Sequence, residues 1–243
     1  MAALLQVALN GSRRPEEHPS IPRTPTELAA AARDSVDAGA QVLHLHAYDD
    51  GGLQSLEAGA CAPAIRAVRN ACPGVPISLT TSAEIEPDPE RRQRLVESWT
   101  ELPELVTANQ GEEGIASLCE ALLSRGVGIE AGLLELADAD AFVASGLASR
   151  ATRVLIEPLD ADPDDAVAHA AAMQERLAEG GVRLEQVHHG DGIACWAVNA
   201  RAARLGHGIR TGLEDVVVLP NGSLAPDNAA LVRAAAELLS SPS

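Results

Sequence analysis

Gln41-Val42-Leu43-His44-Leu45-His46-Ala47 is the stretch on which the fold turns. It is a short apolar run of strand-forming residues, and segments of a different kind flank it. Residues 24–39 before it and 58–72 after it are rich in Ala, Leu, Glu and Arg, with apolar positions three and four apart, which predicts helices. The same alternation runs through the chain. Further strand-like runs are Leu4–Asn10, Val75–Thr81, Leu105–Gln110, Gly128–Leu133, Arg153–Pro158, Leu184–Gly190 and Gly208–Leu213. Further helix-like segments cover 89–100, 112–125, 135–145, 162–179, 191–206 and 226–239. Start signals support them: Thr24-Pro25-Thr26-Glu27, Asp88-Pro89-Glu90 and Asp162-Pro163-Asp164 each supply a capping oxygen, a proline in the first turn and an early carboxylate. Gly39, Gly126, Gly146, Gly180 and Gly206 sit where helices should stop.

Strands that alternate with helices imply a parallel sheet, and eight such units predict an α/β fold, a (β/α)8 barrel of the TIM type, as a single domain over residues 1–243. The alternative, an open doubly wound sheet, lacks the expected GxGxxG after the first strand. The catalytic end of such a barrel lies at the carboxyl ends of its strands, so the search for chemistry narrows to eight short stretches.

Composition removes several functions. The 243 residues carry a formal charge of −17 and only 2% aromatics, so neither a basic face for nucleic acid nor a set of base-stacking rings is in view. No polybasic patch addresses a membrane, and no apolar run approaches the roughly 20 residues of a span. The opening stretch lacks the basic region and cleavage site of a signal peptide. All 18 basic residues are arginine, which removes Schiff-base and P-loop lysine chemistry. A chain without lysine that breaks carbon–carbon bonds beside a carbonyl needs another electrophile, and a metal ion is the obvious one. Cys61, Cys72, Cys119 and Cys195 form no CxxC pair, so the expectation is buried thiols in a reducing cytoplasmic compartment.

The strand ends carry the candidates. His44 and His46 are two apart on one strand, so both imidazoles face the same side, as two ligands of one metal would, or as two packed histidines. Barrel closure brings the acidic pair Glu214-Asp215, just past the eighth run, towards them. Two histidines and a carboxylate leave open positions on Zn²⁺ or another divalent ion. Arg210 stands four residues before Glu214, at salt-bridge spacing. Asn10 and Arg13 follow the first run, Thr81 and Ser82 the third, and Asn109 ends the fourth; these are candidate substrate contacts, with turn or capping roles as alternatives. Glu130 lies inside an apolar run and needs a buried partner, for which Arg210 is a candidate. Of His188 and His189, one should face the barrel and the other the helices, with Asp191 as a helix cap; His18, His169 and His207 read as structural.

Several of these residues fall into one pattern. Ala8-Leu9-Asn10-Gly11, Pro22-x-x-Pro25-x-Glu27-Leu28-Ala29, His44-Leu45-His46, Thr80-Thr81-Ser82 and Arg210-Thr211-Gly212-Leu213-Glu214-Asp215 occur in order, and the stretches at Leu219–Gly222 and Asp227–Ala229 fit as well. From Ala8 to about Val232 the chain resembles the β-keto acid cleavage enzyme family. It departs from the family after the second histidine, where Ala47-Tyr48-Asp49 replaces the usual hydrophobic residue, arginine and aspartate.

The resemblance implies a zinc-dependent (β/α)8 acyltransferase that turns a β-keto acid and acetyl-CoA into acetoacetate and a new acyl-CoA. It implies His44, His46 and Glu214 as metal ligands, Asp215 and Arg210 as the catalytic pair, Glu130 as a supporting acid and Ser82 near the substrate carboxylate. A homo-oligomer, dimer or tetramer, is expected. Relatives that take an amino-substituted keto acid would be suited by a carboxylate at the position of Arg13; an arginine facing the substrate there predicts a preference for neutral or anionic ones, with solvent exposure, pairing to Glu16 or Glu17, or contact with CoA phosphates as the alternatives. A metal-dependent aldolase or hydrolase on the same site, or a barrel that only binds metal, are the rival readings.

Overall fold

The structure is a computed structural model that describes residues 3–240; the first two residues of the opening stretch and the last three of the chain lie outside that range. The strands are β1 (Leu5–Ala8), β2 (Val42–Leu45), β3 (Ile77–Thr80), β4 (Leu105–Asn109), β5 (Gly128–Leu133), β6 (Arg153–Ile156), β7 (Glu185–His188) and β8 (Gly208–Thr211). The helices between and after them are α1 (Pro25–Asp37), α2 (Ala58–Ala71), α3 (Pro89–Glu97), α4 (Ile115–Ser124), α5 (Leu136–Ser145), α6 (Pro163–Glu179), α7 (Ala194–Arg204) and α8 (Asn228–Ser240). All strand pairs are parallel, and β8 closes on β1 through Leu5–Ile209, Gln6–Arg210 and Val7–Thr211. The protein is a (β/α)8 barrel. A short 3-10 turn at Leu147–Ser149, which the periodicity did not signal, links α5 to β6.

Local chemistry explains the helix starts. Thr24 accepts from the Glu27 amide while Glu27 reaches back to the Thr24 amide, and Asp88 and Asp162 cap α3 and α6 through Arg91 and through Asp164 and Asp165. The expected cap at Asp191 is not formed. Gly192 takes a left-handed φ of 55° and its amide bonds the Asp215 carbonyl, so α7 begins later, at Ala194, and Asp191 turns to solvent.

Most strands leave the ladder one to three residues before their apolar runs end. The pleat sends alternate residues outward, where Val7, Leu43, Leu45, Leu79, Val106, Ile129, Val154 and Ile156 meet the helices in one buried core. The other set fills the barrel interior, where beside apolar Val42, Leu155 and Val187 stand the buried polar residues Gln6, His44, Ser78, Thr107, Glu130 and Arg153. The seam between the chain's ends is stapled by Asn228, which donates to the Leu9 carbonyl and accepts from the Leu213 amide at 2.9 and 2.8 Å.

His188 points to the helices and stacks on His207, ring centroids 5.0 Å apart. Burial, then the neighbouring His207, pushes the His188 pKa down to about 3. The unfolded chain therefore binds a proton that the folded one refuses once pH drops below the ordinary histidine value near 6.5, so stability falls through the window from about 6.5 to 3, by at most about 1.4 kcal/mol per pH unit. His188→Gln is expected to flatten that fall; melting curves of both proteins between pH 7 and 4 check it, and parallel slopes would remove His188 as the cause.

Candidate active site

Three side chains converge at the carboxyl ends of β1, β2 and β8. His44 Nε2 lies 3.5 Å from Glu214 Oε1, and His46 Nε2 lies 3.6 Å from Glu214 Oε2. The rings are edge-on to one another, centroids 5.3 Å apart. Each ring is held by its other nitrogen. His44 Nδ1 sits 3.3 Å from Ser78 Oγ and 3.2 Å from Thr107 Oγ1. His46 Nδ1 faces the Gln54 amide oxygen, which only accepts, so a neutral ring would carry its proton on Nδ1 and leave Nε2 to a ligand or to Glu214. Asn10 fixes the strand beneath by accepting from the His46 amide and donating to its carbonyl, both at 2.9 Å.

Two glycines make this approach possible. Gly11, at a left-handed φ of 59°, stands where a Cβ would overlap the Glu214 side chain; Gly212, at φ 152°, stands where a Cβ would overlap the Ala8 backbone. Neither place admits a larger residue without moving the carboxylate.

This trio fits a divalent metal ion on its own geometry. Glu214 Oε2 is buried with no hydrogen-bond partner, and the ligand atoms of His44, His46 and Glu214 lie within 4.8 Å of one another. Neighbouring ligands of one tetrahedral zinc stand about 3.3 Å apart, given zinc–ligand distances near 2.0–2.1 Å. The 3.5 and 3.6 Å separations here therefore suit a shared ion better than a direct hydrogen bond. Burial would raise the Glu214 pKa, but His44, His46 and Arg210 outweigh it and hold the carboxyl well below its usual range. Burial opposes a charge on His46, but the Glu214 carboxylate and the Gln54 amide oxygen together outweigh it and raise its pKa.

Beside the trio is an ion network. Arg210 Nε donates to Asp215 Oδ2 at 3.2 Å and Nη2 to Asp215 Oδ1 at 2.7 Å, a two-pronged pair, while Nη2 also reaches Glu214 Oε1 at 3.1 Å. Burial would raise the Asp215 pKa; Arg210 and then His189 overcome it and lower it. Arg210 is itself raised above its usual value, since Asp215, Glu214 and Glu157 outweigh its burial. Asp215, Arg210 and the trio all line one cavity of about 310 Å³, with Ser12, Thr80, Ser82, Asn109, Glu157 and Asp191 among the other walls.

Some expected contacts are placed elsewhere. Glu130 is fully buried and does not line the cavity; its partner is Arg153 rather than Arg210, at 3.7 Å, because β5 and β6 pair Glu130 with Arg153. It accepts from Gln6 and from the Ser78 hydroxyl, so its link to the site runs through Ser78 to His44. Thr81 donates to the Thr107 carbonyl and Asn10 spends both ends of its amide on backbone, so neither lines the cavity. Arg13 does not line it either. Its guanidinium bonds the Glu214 and Asp215 carbonyls at 3.1 and 3.4 Å and pairs with Glu17 and Asp191, braced against the loop that carries the ligand. Ser82 and Asn109 do face the cavity.

The residues not anticipated are Ser78, Thr107, Gln54 and Glu157. Ser78 and Thr107 share the inward parity of His44, and Glu157 follows β6 directly, so strand parity held a signal for these three. Gln54 comes from the β2–α2 loop, where no periodicity applies.

A polar cavity at this end of a parallel barrel, with a metal-ligand trio and a held carboxylate, defines a barrel enzyme site. A model of the beta-keto acid cleavage enzyme family matches residues 3–176 and 155–242. The chain is 28% identical over 251 residues to a 3-keto-5-aminohexanoate cleavage enzyme of Fusobacterium nucleatum subsp. nucleatum, covering 94% of this chain and 88% of that protein. A protein of the same name from Acetoanaerobium sticklandii is 30% identical over 90 residues, 37% of this chain and 33% of that one. Among solved structures, the ternary complex of ObcA with a C4-CoA adduct and oxalate aligns with a TM-score of 0.74 at 18% identity, over 91% of this chain and 64% of that one. A type I 3-dehydroquinate dehydratase from Clostridium difficile aligns with a TM-score of 0.67 at 9% identity, over 98% and 91%. At such identities these two share the fold. The chain belongs to the beta-keto acid cleavage enzyme family.

Proposed function

We propose that the protein is a zinc-dependent enzyme that condenses a 3-keto acid with acetyl-CoA, giving acetoacetate and the acyl-CoA of the remaining chain. The observation that carries this reading is the adjacency of two functions in one cavity: the trio His44, His46 and Glu214, and the carboxylate of Asp215 held by Arg210. A divalent ion in the trio would supply a Lewis acid for the ketone oxygen of a keto acid.

The chain's own groups do the rest. Asp215, kept ionised by Arg210, takes a proton from C2 of the 3-keto acid, the carbon between the ketone and the carboxylate. That carbon attacks the thioester carbonyl carbon of acetyl-CoA and expels the CoA thiolate, the thiolate adds to the ketone carbon, and the old C2–C3 bond breaks to give the new acyl-CoA and the acetoacetate carbanion, which recovers the proton from Asp215. Atoms balance without a lysine at any step. Arg210 keeps the base oriented and bridges it to Glu214. Ser82 and Asn109 are available to the substrate's polar groups.

The far end of the substrate meets a different surface from the one the sequence suggested. Arg13 is spent on the Glu214 loop, while Glu84, Glu112 and Asp191 line the cavity together with Leu134 and Leu159. A second substrate carboxylate is repelled by such a wall, so neutral and amino-substituted keto acids are favoured over dicarboxylic ones.

The test is a panel of amino-substituted, neutral and dicarboxylic 3-keto acids with acetyl-CoA, scored by acetoacetate formation in metal-loaded protein. The expected result is acetoacetate formation that requires acetyl-CoA, with kcat/KM lowest for the dicarboxylic substrates. Turnover that ignores acetyl-CoA would make the protein a hydrolase or aldolase instead, and a dicarboxylic preference would overturn the account of the cavity wall.

A further inference from the structure

A second group of acid and imidazole side chains stands beside the His44, His46 and Glu214 trio, at the ends of the last three strands, and is joined to it through Arg210. Glu157 follows β6, His189 follows β7, and Asp215 lies beyond β8. His189 is completely buried. Its Nδ1 stands 3.5 Å from Asp215 Oδ1 and its Nε2 stands 3.3 Å from Glu157 Oε2. Neither nitrogen has a hydrogen bond of ordinary geometry, and the two carboxylates are the acceptors that stand nearest to them. Whichever nitrogen carries the proton therefore donates towards a carboxylate.

These three residues have ligand atoms as close together as a metal site would need. The place is already taken by a cation. Arg210 Nη2 lies 2.7 Å from Asp215 Oδ1 and 3.7 Å from Glu157 Oε1. Arg210, Asp215, His189 and Glu157 thus form a closed circuit of alternating basic and acidic groups, in which each member touches the next. Asp215 Oδ1 is the shared atom, reached by Arg210 from β8 and by His189 from β7.

We infer that His189, braced by Glu157, is a positioning residue for Asp215. This inference rests on the proposed function only in naming Asp215 as the base; the contact itself is independent of the reaction. Arg210 grips Asp215 through both Nε and Nη2, but the same Nη2 also holds Glu214, so movement of Glu214 would draw the guanidinium, and Asp215 with it. The imidazole gives Asp215 a second tether on a different strand, and Glu157 holds the ring from its other side. The base then presents one orientation to the cavity rather than several.

The test uses His189→Phe, which keeps a planar ring and removes both nitrogens, with His189→Gln as the variant that restores an N–H. In His189→Phe, kcat is expected to fall about 10–100-fold, the usual effect of removing an orienting partner, while bound metal and the KM for the keto acid stay as in wild type. His189→Gln recovers part of the loss. In an Asp215→Asn background the His189→Phe change has no further effect, because its role is exerted through that carboxylate. A kcat within twofold of wild type, or a full additional loss in the Asp215→Asn background, overturns the inference.

Should His189→Phe fail to fold, Glu157→Gln, at a partly exposed site, carries the same expectation with a smaller loss of kcat, and an unchanged kcat there overturns it. A second readout does not depend on turnover. With ¹⁵N-labelled histidine, the His189 ring proton is expected as a slowly exchanging resonance, identified by its loss in His189→Phe or His189→Gln, that shifts in both Asp215→Asn and Glu157→Gln. A resonance unmoved by either change overturns the inference even if no keto acid is turned over, whereas a moved resonance with no turnover overturns only the proposed reaction.

Discussion

His46→Ala is expected to lose bound metal and turnover together. His46 contributes one of three converging donors, and its Nε2 is aimed by the Gln54 bond on the other nitrogen and by the Asn10 clamp on its backbone. Alanine leaves His44 and Glu214, two ligands on opposite sides of the barrel seam, which is too few for a closed catalytic site. Loss of an outer partner of a ligand typically costs about 10–100-fold in affinity or activity, and loss of the ligand itself should exceed that. The strand should survive, because the Asn10 contacts are to the His46 backbone, which alanine retains. Metal content by elemental analysis, acetoacetate formation and a melting curve with and without chelator make the check. A variant with full metal occupancy would show that the ligand set is wrong.

Asp215→Asn is expected to leave metal and fold in place and to remove most turnover. The change keeps the shape and one hydrogen-bond acceptor for Arg210, while the buried guanidinium remains balanced by Glu214 and Glu157. What is lost is the basic carboxylate, and a positioned acid or base contributes about 10²–10⁴-fold. The fall should appear in kcat, with metal content unaltered and the melting temperature within a few degrees. A kcat near wild type would remove Asp215 from the chemistry. The depressed pKa of Asp215 sets the sign of the pH effect: the carboxylate is the form held in the folded protein, so activity that depends on it persists at weakly acidic pH and is lost only below the ordinary aspartate range.

The frame of the molecule was legible because its signals are local. A cap such as Thr24 with Glu27, or the three-and-four spacing along α6, acts within a few residues, and each helix begins within three residues of the position that the pattern marks. The pairing of His44 with His46 was legible for the same reason, since strand parity is a local property. The partner of Glu130 was not. Arg153 and Arg210 both enter the barrel, and the choice depends on which strand stands next to β5, a matter of register rather than residue type. Arg13 was legible only as a choice, because a charge near a catalytic end can face inward or fold back onto neighbouring acids such as Glu17. Here the backbone carbonyls of Glu214 and Asp215 and the acids Glu17 and Asp191 draw it back. Gln54 had no signal at all, since a loop residue is aimed by the path of the loop.

The turn at Gly11, against which Glu214 packs, also sets the order in which the molecule can be completed. His44 and His46 are synthesised well before their carboxylate partner, which lies 168 residues beyond His46 (214 − 46) and reaches them only when β8 has docked on β1. A nascent or truncated chain therefore presents a bare pair of imidazoles with little hold on a metal. An ion held by this trio would not act as an early template for folding. It would instead recognise the finished barrel, add its binding energy to the closed form alone, and act as a clasp between the first strands and the last. Chelation should consequently loosen the seam between the chain's ends before it disturbs the packed layer of helices, and amide exchange along β1 and β8 is where that loosening would first be seen.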